Sequence, residues 1–292
     1  MNTAVDAASP SHIGSVAPRL SVSTWSLHRV IGITYPDAPG MNHPEGHHAE
    51  AETYGVGSLS LLEVPKTIAG MGIQTLEICH FHLPGHDETY LEKLHAALGE
   101  AGVELFSLLI DEGDFTHPEN ATRDLDWIGN WIDTAAALGA QCVRVIAGKQ
   151  QPSDETLALS RQGFQQLATR ASTHGIRVMT ENWFSTLSRP EYVLRLLDEL
   201  EGSVGLCLDF GNWGGPTKYE DLAAIAPRAE SCHTKAQFPA AGALDQEDYK
   251  RCLDITREAG FSGPYTLIYD GPGDDEFEGL RLESAVVEPY LR

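Results

Sequence analysis

Short runs of β-branched and apolar residues alternate along this chain with longer stretches in which apolar residues recur at helical spacing. Such alternation is typical of a parallel sheet whose strands are joined by crossover helices. The pattern predicts eight strands, at residues 20–26, 74–81, 103–110, 141–147, 176–182, 204–210, 229–235 and 264–270. It also predicts helices near residues 60–71, 88–101, 120–138, 153–174, 189–201, 217–226, 246–259 and 276–291.

Local signals support these boundaries. Glycine is the residue that most often ends a helix in the left-handed conformation, and it precedes several predicted strands, at Gly102, Gly139, Gly175 and Gly260. Ser153 is placed to cap the fourth of these helices. Eight such units without a linker predict a single-domain (β/α)₈ TIM barrel over residues 19–292, after a flexible lead-in at residues 1–18. A generic α/β sheet with fewer paired strands is the alternative, whereas the glycine-rich phosphate loop of a doubly wound sheet is missing.

Composition narrows the class of protein. The 292 residues are 42% hydrophobic, yet no run approaches the roughly 18 to 20 apolar residues that cross a membrane. The first residues lack a basic start followed by an apolar segment, so secretion is not expected. The five cysteines form no CxxC pair, and most lie in strand-like runs. Buried reduced thiols in a cytoplasmic protein are therefore expected.

The net charge of the chain disfavours negatively charged partners such as nucleic acids and anionic membranes. The chain carries 42 acidic and 20 basic side chains, a formal net charge of −22. A surface with this excess repels phosphate backbones and anionic lipids. We therefore expect a small-molecule ligand rather than nucleic acid or membrane, and the sequence leaves open whether the chain forms a homo-oligomer.

Three successive predicted strands end in residues that bind metals. Glu181, Asp209 and His233 each follow an apolar run, and the ends of neighbouring parallel strands meet on one face of a barrel. Two carboxylates and an imidazole suit a divalent cation. The sequence therefore predicts a metal site at the barrel mouth, although each residue singly also fits a cap or a satisfied polar position.

Further polar residues lie at or near strand ends. Because side chains alternate along a strand, Lys235 shares the inward face of His233 and is a candidate for stabilising a substrate oxygen. Asp270 is a substitute ligand or substrate contact, or simply a turn residue before glycine. His82 is a candidate base and Glu77 a substrate contact. Arg144 lies in an apolar run, so it requires a carboxylate partner, for which Glu181 and Glu77 are the candidates.

Aromatic side chains and one long loop complete the predicted mouth. Trp25 and Trp183 stand at strand ends, where aromatic walls suit sugar stacking, although core packing explains each one singly. The connection from about residue 28 to 57 is long enough for a lid or a binding loop. Its histidines 43, 47 and 48 lie in a stretch rich in proline and glycine, so a solvated loop tip is expected rather than a metal site.

The segments TENWF, LCLDFGN, CHTK and YTLIYDGPG, which follow LEICHFH and LGAQCVRVIAG, together resemble the xylose isomerase-like TIM-barrel superfamily. Within it the sequence is most similar to the sugar phosphate isomerase/epimerase group, from about residue 20 to the C-terminus. The resemblance implies a divalent cation, commonly Mn²⁺, Mg²⁺, Co²⁺ or Zn²⁺. Its ligands would be Glu181, Asp209, His233 and a glutamate on the last strand.

The chain departs from that family at three positions. Ile268 stands where the fourth ligand is expected, Asn212 where some relatives have histidine, and Ala236 where aspartate often follows the His-x-Lys motif. In the epimerases of the family, the first and last glutamates also form the acid/base pair. Losing the second carboxylate therefore weakens the expectation both of tight metal binding and of two-base epimerisation.

Three functions remain. The first is a metal-dependent isomerase or epimerase acting on a polyhydroxy carbonyl compound, with Glu181, Lys235 and His82 as catalytic candidates. Its candidate substrate contacts are Glu77, Arg144, Trp25, Trp183, Asn212 and Asp270. The second is a degenerate relative that binds a sugar-like ligand without turnover, and a lyase or dehydratase of the same superfamily is a further alternative. The endonuclease branch is disfavoured by the negative charge.

Overall fold

The computed structural model describes residues 17–43 and 48–292; residues 1–16, which hold most of the predicted lead-in, lie outside it. Within the described residues there are eight strands and nine α-helices. The strands are β1 (Arg19–Ser23), β2 (Thr75–Cys79), β3 (Glu104–Ile110), β4 (Cys142–Val145), β5 (Arg177–Glu181), β6 (Val204–Asp209), β7 (Ala229–Lys235) and β8 (Pro264–Ile268). The helices are α1 (His28–Ile31), α2 (Val64–Gly70), α3 (Glu88–Ala101), α4 (Ala121–Ala137), α5 (Asp154–Ser172), α6 (Pro190–Glu199), α7 (Lys218–Ile225), α8 (Gln246–Glu258) and α9 (Glu276–Val287).

The strands form a closed parallel barrel in sequence order. Each strand pairs with the next, and β8 pairs with β1, so that Val22 is a register partner of both Leu76 and Leu267. A helix separates every two consecutive strands. The predicted (β/α)₈ barrel is confirmed, and each predicted strand and helix has a counterpart in it.

Two apolar layers hold the barrel together. The larger lies between the sheet and the surrounding helices, and α4 contributes Ile128, Trp131, Ile132 and Ala135, which repeat at helical spacing and are fully buried. The smaller cluster consists of Phe106, Cys142, Met179 and Cys207, from β3, β4, β5 and β6. All five cysteines are buried and free. Within the described residues, no helix is both long and apolar enough to cross a membrane.

The predicted helix ends are observed. Gly102 adopts a left-handed φ of 64° after α3, and Gly139, Gly175 and Gly260 also have positive φ angles. The Ser153 hydroxyl accepts the backbone N–H of Thr156 at 3.0 Å and caps α5.

The connection from β1 to α2 departs from its prediction. His43 and His48 are not at a solvated tip, because the His43 Nε2 atom lies 2.7 Å from Asp37 Oδ1 and the His48 side chain is only 2% exposed. The physical reason is Asp37, a buried carboxylate that accepts the indole N–H groups of Trp127 and Trp131 and draws the loop inward. The third histidine, at position 47, lies outside the described residues.

Candidate active site

The carboxyl ends of β5, β6 and β7 bring three predicted ligands together. The His233 Nδ1 atom lies 3.6 Å from Glu181 Oε2 and 3.8 Å from Asp209 Oδ2. All three side chains are at most 5% exposed. They meet because Asp209 and His233 are register partners on neighbouring strands and Glu181 ends the strand before them. Two acidic oxygens thus face one imidazole nitrogen at the mouth of the barrel.

Glu77 fixes the orientation of His233. Its Oε2 atom lies 2.7 Å from His233 Nε2, and its Oε1 accepts the Thr266 hydroxyl at 2.9 Å. At 1% exposure it lies outside the central cavity rather than at its wall, where a substrate contact was predicted. Burial alone would lower the pKa of His233, but its acidic neighbours raise it well above its usual value. With Nε2 held by a carboxylate, Nδ1 is the nitrogen that remains for a metal.

Glu181 is held from two sides. The Arg144 Nε atom lies 3.0 Å from Glu181 Oε2, and the Asn212 side-chain amide donates to Oε1 at 2.6 Å. Burial alone would raise the pKa of Glu181, but the charges of Arg144 and His233 outweigh it and lower the pKa to about 2. Glu181 is therefore ionised at neutral pH and is a weak base.

Arg144 has the carboxylate partner that the sequence required, together with one that was not foreseen. Its Nη2 atom lies 2.6 Å from Asp111 Oδ1, at the end of β3. Asp111 directly follows the apolar run of β3, which is the same signal that identified Glu181 and Asp209. Applied to every strand, that signal would have found Asp111.

Asp209 presents one oxygen to the site. Its Oδ1 atom accepts the backbone N–H groups of Gly211 at 2.6 Å and of Asn212 at 2.7 Å, whereas Oδ2 faces His233. Burial, followed by the like charge of Glu181, raises the pKa of Asp209 to about 6. Asn212, where some relatives have histidine, links the two acids through its backbone and its side chain.

Lys235 and Asp270 form an ion pair at the mouth. The Lys235 Nζ atom lies 2.6 Å from Asp270 Oδ2, and Asp270 is 34% exposed. Burial opposes the charge of Lys235, but the hydrogen bond that its ammonium donates to Asp270 outweighs burial and raises the lysine pKa above its usual value. Lys235 is therefore an ammonium that can donate a hydrogen bond. Ile268, the register partner of Lys235, lines the same cavity and supplies no ligand.

His82 lies outside this cavity. Its Nδ1 atom lies 2.8 Å from the Thr24 hydroxyl, its side chain is buried, and burial lowers its pKa to about 3. It lines a separate cavity of about 480 Å³ beside the β1–α2 connection. A proton transfer by His82 to a ligand at the centre of the barrel would therefore need a relay.

The central cavity has a volume of about 150 Å³, below the roughly 300–1,000 Å³ of drug-sized ligand sites, so it suits a small compound. Trp25 and Trp183 are part of its wall, and the Arg144 guanidinium lies 5.2 Å from the Trp183 ring centre. A groove of about 750 Å³ adjoins it and shares Trp183 and Asn212. The cavity is lined by Ser23, Trp25, Cys79, Leu109, Asp111, Arg144, Glu181, Trp183, Asp209, Asn212, His233, Lys235 and Ile268.

Cys207 is a further donor near the site. One ligand atom from each of Glu181, Cys207 and His233 lies within 4.8 Å of the others. Cys207, however, belongs to the small apolar cluster of the barrel and does not line the cavity, and burial raises the pKa of its thiol. A metal ligand must be a thiolate, so Asp209 is the stronger third ligand.

The residues present fit a divalent cation. Two carboxylates and one imidazole oriented by Glu77 form a three-ligand set with room for further ligands from solvent or substrate. The four carboxylates of Glu77, Glu181, Asp209 and Asp111 outnumber the positive charges of Arg144 and a protonated His233, and a cation would compensate that excess. Arg144 opposes metal binding, because its positive charge lies 3.0 Å from Oε2 of Glu181, one of the proposed ligand atoms.

Comparison with known proteins agrees with this architecture. Residues 65–283 match the family model described as xylose isomerase-like TIM barrel, and no curated protein matches the sequence. A xylose isomerase-like TIM barrel protein from Mycobacterium smegmatis, solved in complex with magnesium, is 18% identical, with a TM-score of 0.65 over 95% of this chain and 98% of that one. The D-allulose 3-epimerase of Methylomonas sp. is 16% identical, with a TM-score of 0.66 over 94% and 98% of the two chains.

A third structure, the 3-keto-D-glucoside 4-epimerase of E. coli, is 17% identical, with a TM-score of 0.62 over 79% of this chain and 94% of that one. At such identities the likeness to these structures shows the fold alone. The match to the family model is independent of it and spans more than half of the sequence. The chain therefore belongs to the xylose isomerase-like TIM barrel family.

Proposed function

We propose that this protein is an isomerase or epimerase that binds a small polyhydroxy carbonyl compound and a divalent cation at the barrel mouth. The observation that carries the proposal is the convergence of Glu181 Oε2 and Asp209 Oδ2 on His233 Nδ1. Such a set of oxygen and nitrogen donors is suited to Mn²⁺, Mg²⁺, Co²⁺ or Zn²⁺. Sugar epimerases among the solved structures with this fold support the same reaction class.

A neutral sugar or polyol is favoured over a phosphorylated sugar. The positive charges of the cavity are already compensated, that of Arg144 by two acids and that of Lys235 by Asp270, so the cavity has no excess positive charge for a phosphate dianion. The tryptophan rings in the wall suit the apolar faces of a sugar.

The five buried free thiols support a cytoplasmic location.

Each side chain of the site has a separate role in the proposed reaction. A bound cation would polarise the carbonyl and hydroxyl oxygens of the substrate. Glu181, which is ionised and lines the cavity, would accept the proton from the carbon beside the carbonyl and return it to the former carbonyl carbon on the same face. Lys235 would donate a hydrogen bond to a substrate oxygen. Ile268 cannot exchange a proton on the opposite face. One-base isomerisation is therefore favoured over two-carboxylate epimerisation.

A sugar-binding protein without turnover is the second candidate. The observation that favours it is the same isoleucine, together with Arg144, which lowers the basicity of Glu181. A lyase or dehydratase of the same superfamily also needs only one base and stands as a variant of the enzyme proposal.

Metal analysis of protein purified without chelator tests the cation, with the Asp209→Asn variant measured beside the wild type. We expect the variant to lose one Mn²⁺ equivalent, because an amide replaces a charged ligand. Asp270→Asn is the matched control, and it should retain that equivalent. If both variants bind like the wild type, the metal site is not at these residues. Wild-type occupancy below one tenth, unrestored by Mn²⁺ or Zn²⁺, would support the binding protein.

Turnover is tested with a panel of free aldoses and ketoses in D₂O, followed by NMR. We expect deuterium to enter at the carbon beside the carbonyl with at least one sugar, and Glu181→Gln to abolish the exchange. A wild type that binds metal and sugar but exchanges no proton would be a binding protein. Strong thermal stabilisation by sugar phosphates alone would contradict the neutral substrate.

A further inference from the structure

A second group of potential ligands lies away from the centre of the barrel. Asp37, His43 and His48 belong to the β1–α2 connection, and His86 belongs to the turn between β2 and α3. One ligand atom from each of Asp37, His48 and His86 lies within 4.8 Å of the others. The His43 and His48 ring centres are 4.0 Å apart. We call these four residues the loop cluster.

The His48 imidazole is buried and makes no side-chain hydrogen bond within the described residues. Its side chain is 2% exposed, and its Nδ1 atom is buried with no hydrogen-bond partner within the described residues. Its Nε2 atom lies 3.9 Å from Asp37 Oδ2, too far for a hydrogen bond. Since buried polar groups are almost always satisfied, this imidazole points to a missing ligand.

Asp37 provides a buried negative charge beside it. Its carboxylate is 3% exposed, and its Oδ2 atom accepts the indole N–H groups of Trp127 at 2.8 Å and Trp131 at 2.9 Å. In the part of the chain that the structure describes, its ion pairs are with His43 and His48, not with a lysine or an arginine. A buried carboxylate without such a partner favours a cation nearby.

His86 has its tautomer fixed by its surroundings. The Thr134 hydroxyl donates to the backbone oxygen of Asn130 at 3.1 Å, so it accepts the hydrogen of His86 Nδ1. The lone pair of His86 is then on Nε2, the nitrogen that a metal would bind. This arrangement matches the outer hydrogen bonds that orient metal-bound imidazoles.

We propose that the loop cluster binds one divalent cation of the borderline class, with Zn²⁺ as the preferred ion. Asp37, His48 and His86 are its ligands, and His43 is placed to complete the shell. Sets rich in imidazole select zinc, nickel, cobalt or copper over magnesium or manganese. The bound ion would link the β1–α2 connection to the turn that precedes α3, at a position next to α4. This metal site is separate from the barrel mouth and takes no part in the reaction proposed there.

The test uses Zn²⁺ titration of chelator-treated protein against a chromophoric chelator. It is performed in the Asp209→Asn background, so that the barrel mouth contributes little. We expect one equivalent per chain, weakened more than about tenfold by His86→Gln and by His48→Ala, since each removes a ligand. His174→Ala, at an exposed histidine outside both sites, is the matched control and should bind like its parent. Unchanged zinc affinity in both ligand variants would overturn the proposal.

A second measurement covers the case in which His48→Ala does not fold. X-ray absorption at the zinc edge counts coordinated imidazoles in chains whose ligands are intact. The barrel mouth offers one imidazole from the described residues, His233, whereas the loop cluster offers at least two. We expect two or three imidazoles per zinc in the Asp209→Asn background. One imidazole, or no zinc uptake, would overturn the proposal.

Discussion

At the scale of single residues, the site is defined by the partners of its ligands. Glu77 comes 156 positions before His233 in the sequence, yet its carboxylate lies 2.7 Å from the imidazole and leaves Nδ1 facing the acids. Carboxylates behind metal-bound histidines fix the ring and raise its basicity. Glu77 is therefore a positioning residue for the proposed metal.

Replacing Glu77 by Gln should weaken metal binding at the barrel mouth by about 10- to 100-fold, the range typical of such outer partners. The amide keeps the shape but not the charge that orients the ring. Thr266→Val is the control, since it removes one hydrogen bond to Glu77 and leaves the carboxylate on His233. Competition with a chromophoric chelator measures both variants. Equal affinity in Glu77→Gln and the wild type would contradict this role.

Ile268 offers the complementary test, by adding a ligand. Its side chain lines the cavity beside Lys235, so Ile268→Glu should place a further carboxylate at the site and tighten Mn²⁺ binding by roughly tenfold or more, about 1.4 kcal/mol. Ile268→Gln has the same length without the charge. The prediction fails if the two variants bind Mn²⁺ alike. Slow epimerisation of a free ketose, measured by NMR, should increase in the glutamate variant only.

The sequence identified Glu181, Asp209 and His233 because each ends an apolar strand, and strand ends of a parallel barrel meet. It could not identify which buried groups touch across the barrel, since those contacts depend on three-dimensional register. For this reason the sequence predicts Glu77 as a substrate contact in the cavity, whereas in the structure it lies behind His233. Asp37 was overlooked because it follows no strand, and its indole partners lie 90 or more positions away.

At the scale of elements, the β1–α2 connection depends on two glycines. A Cβ atom on Gly57 would lie 1.9 Å from the Ile31 carbonyl oxygen, and one on Gly32 would lie 2.3 Å from the Gly57 nitrogen. Only glycine permits this approach between the end of α1 and the later part of the loop. The close contact keeps the connection packed against α1.

Gly57→Ala should therefore destabilise the protein by more than its backbone angle alone explains. Gly102, which ends α3, has a similar φ of 64° against 67° for Gly57, but no heavy atom lies within 4 Å of its added Cβ. Gly102→Ala should cost about 1–2 kcal/mol from the left-handed conformation. Gly57→Ala should cost clearly more, because it adds a steric clash. Urea unfolding of both variants measures the difference, and equal losses would contradict it.

The packing of α9 contains a buried acid. Glu283 is fully buried, neither oxygen has a hydrogen-bond partner within the described residues, and burial raises its pKa well above the usual value. In the unfolded chain the group ionises above pH ~4.3. Between that pH and its folded pKa, the folded state holds the extra proton, so stability falls as pH rises, by up to about 1.4 kcal/mol per unit.

Glu283→Gln should remove this dependence, because the amide carries no titrating proton. We expect the variant to be more stable than the wild type by a margin that is larger at pH 7 than at pH 5. Urea unfolding at both pH values measures the margin. Glu278→Gln, at an exposed position of the same helix, should show little change in margin. An equal margin at both pH values for Glu283→Gln would mean that the acid is not held neutral.

Element boundaries were largely predictable because local signals determine them. Glycine ends α3, and Ser153 begins α5, as their conformational preferences require. The short helix α1 and the inward path of the following loop were not predicted. They depend on tertiary contacts, those of Gly32 with Gly57 and of Asp37 with α4, rather than on periodicity.

At the scale of the whole molecule, the main feature is the large excess of acidic over basic side chains. The chain has a formal net charge of −22, and several of its ion pairs are exposed, such as Arg195 with Asp154. Exposed pairs contribute about 0–1 kcal/mol each and weaken with salt. Repulsion within the excess of 22 negative charges opposes them and also weakens with salt.

We expect repulsion to dominate, because acidic side chains outnumber basic ones by 42 to 20. The Tm should therefore rise by a few degrees as KCl increases from about 0.01 M to 0.3 M, since the Debye length falls from about 30 Å to below 10 Å. Calorimetry in the presence of EDTA excludes an effect of divalent metals. If charge screening is the cause, tetramethylammonium chloride should raise the Tm by the same amount as KCl at the same ionic strength. A Tm that is constant or falls with salt would show that the ion pairs outweigh the net charge.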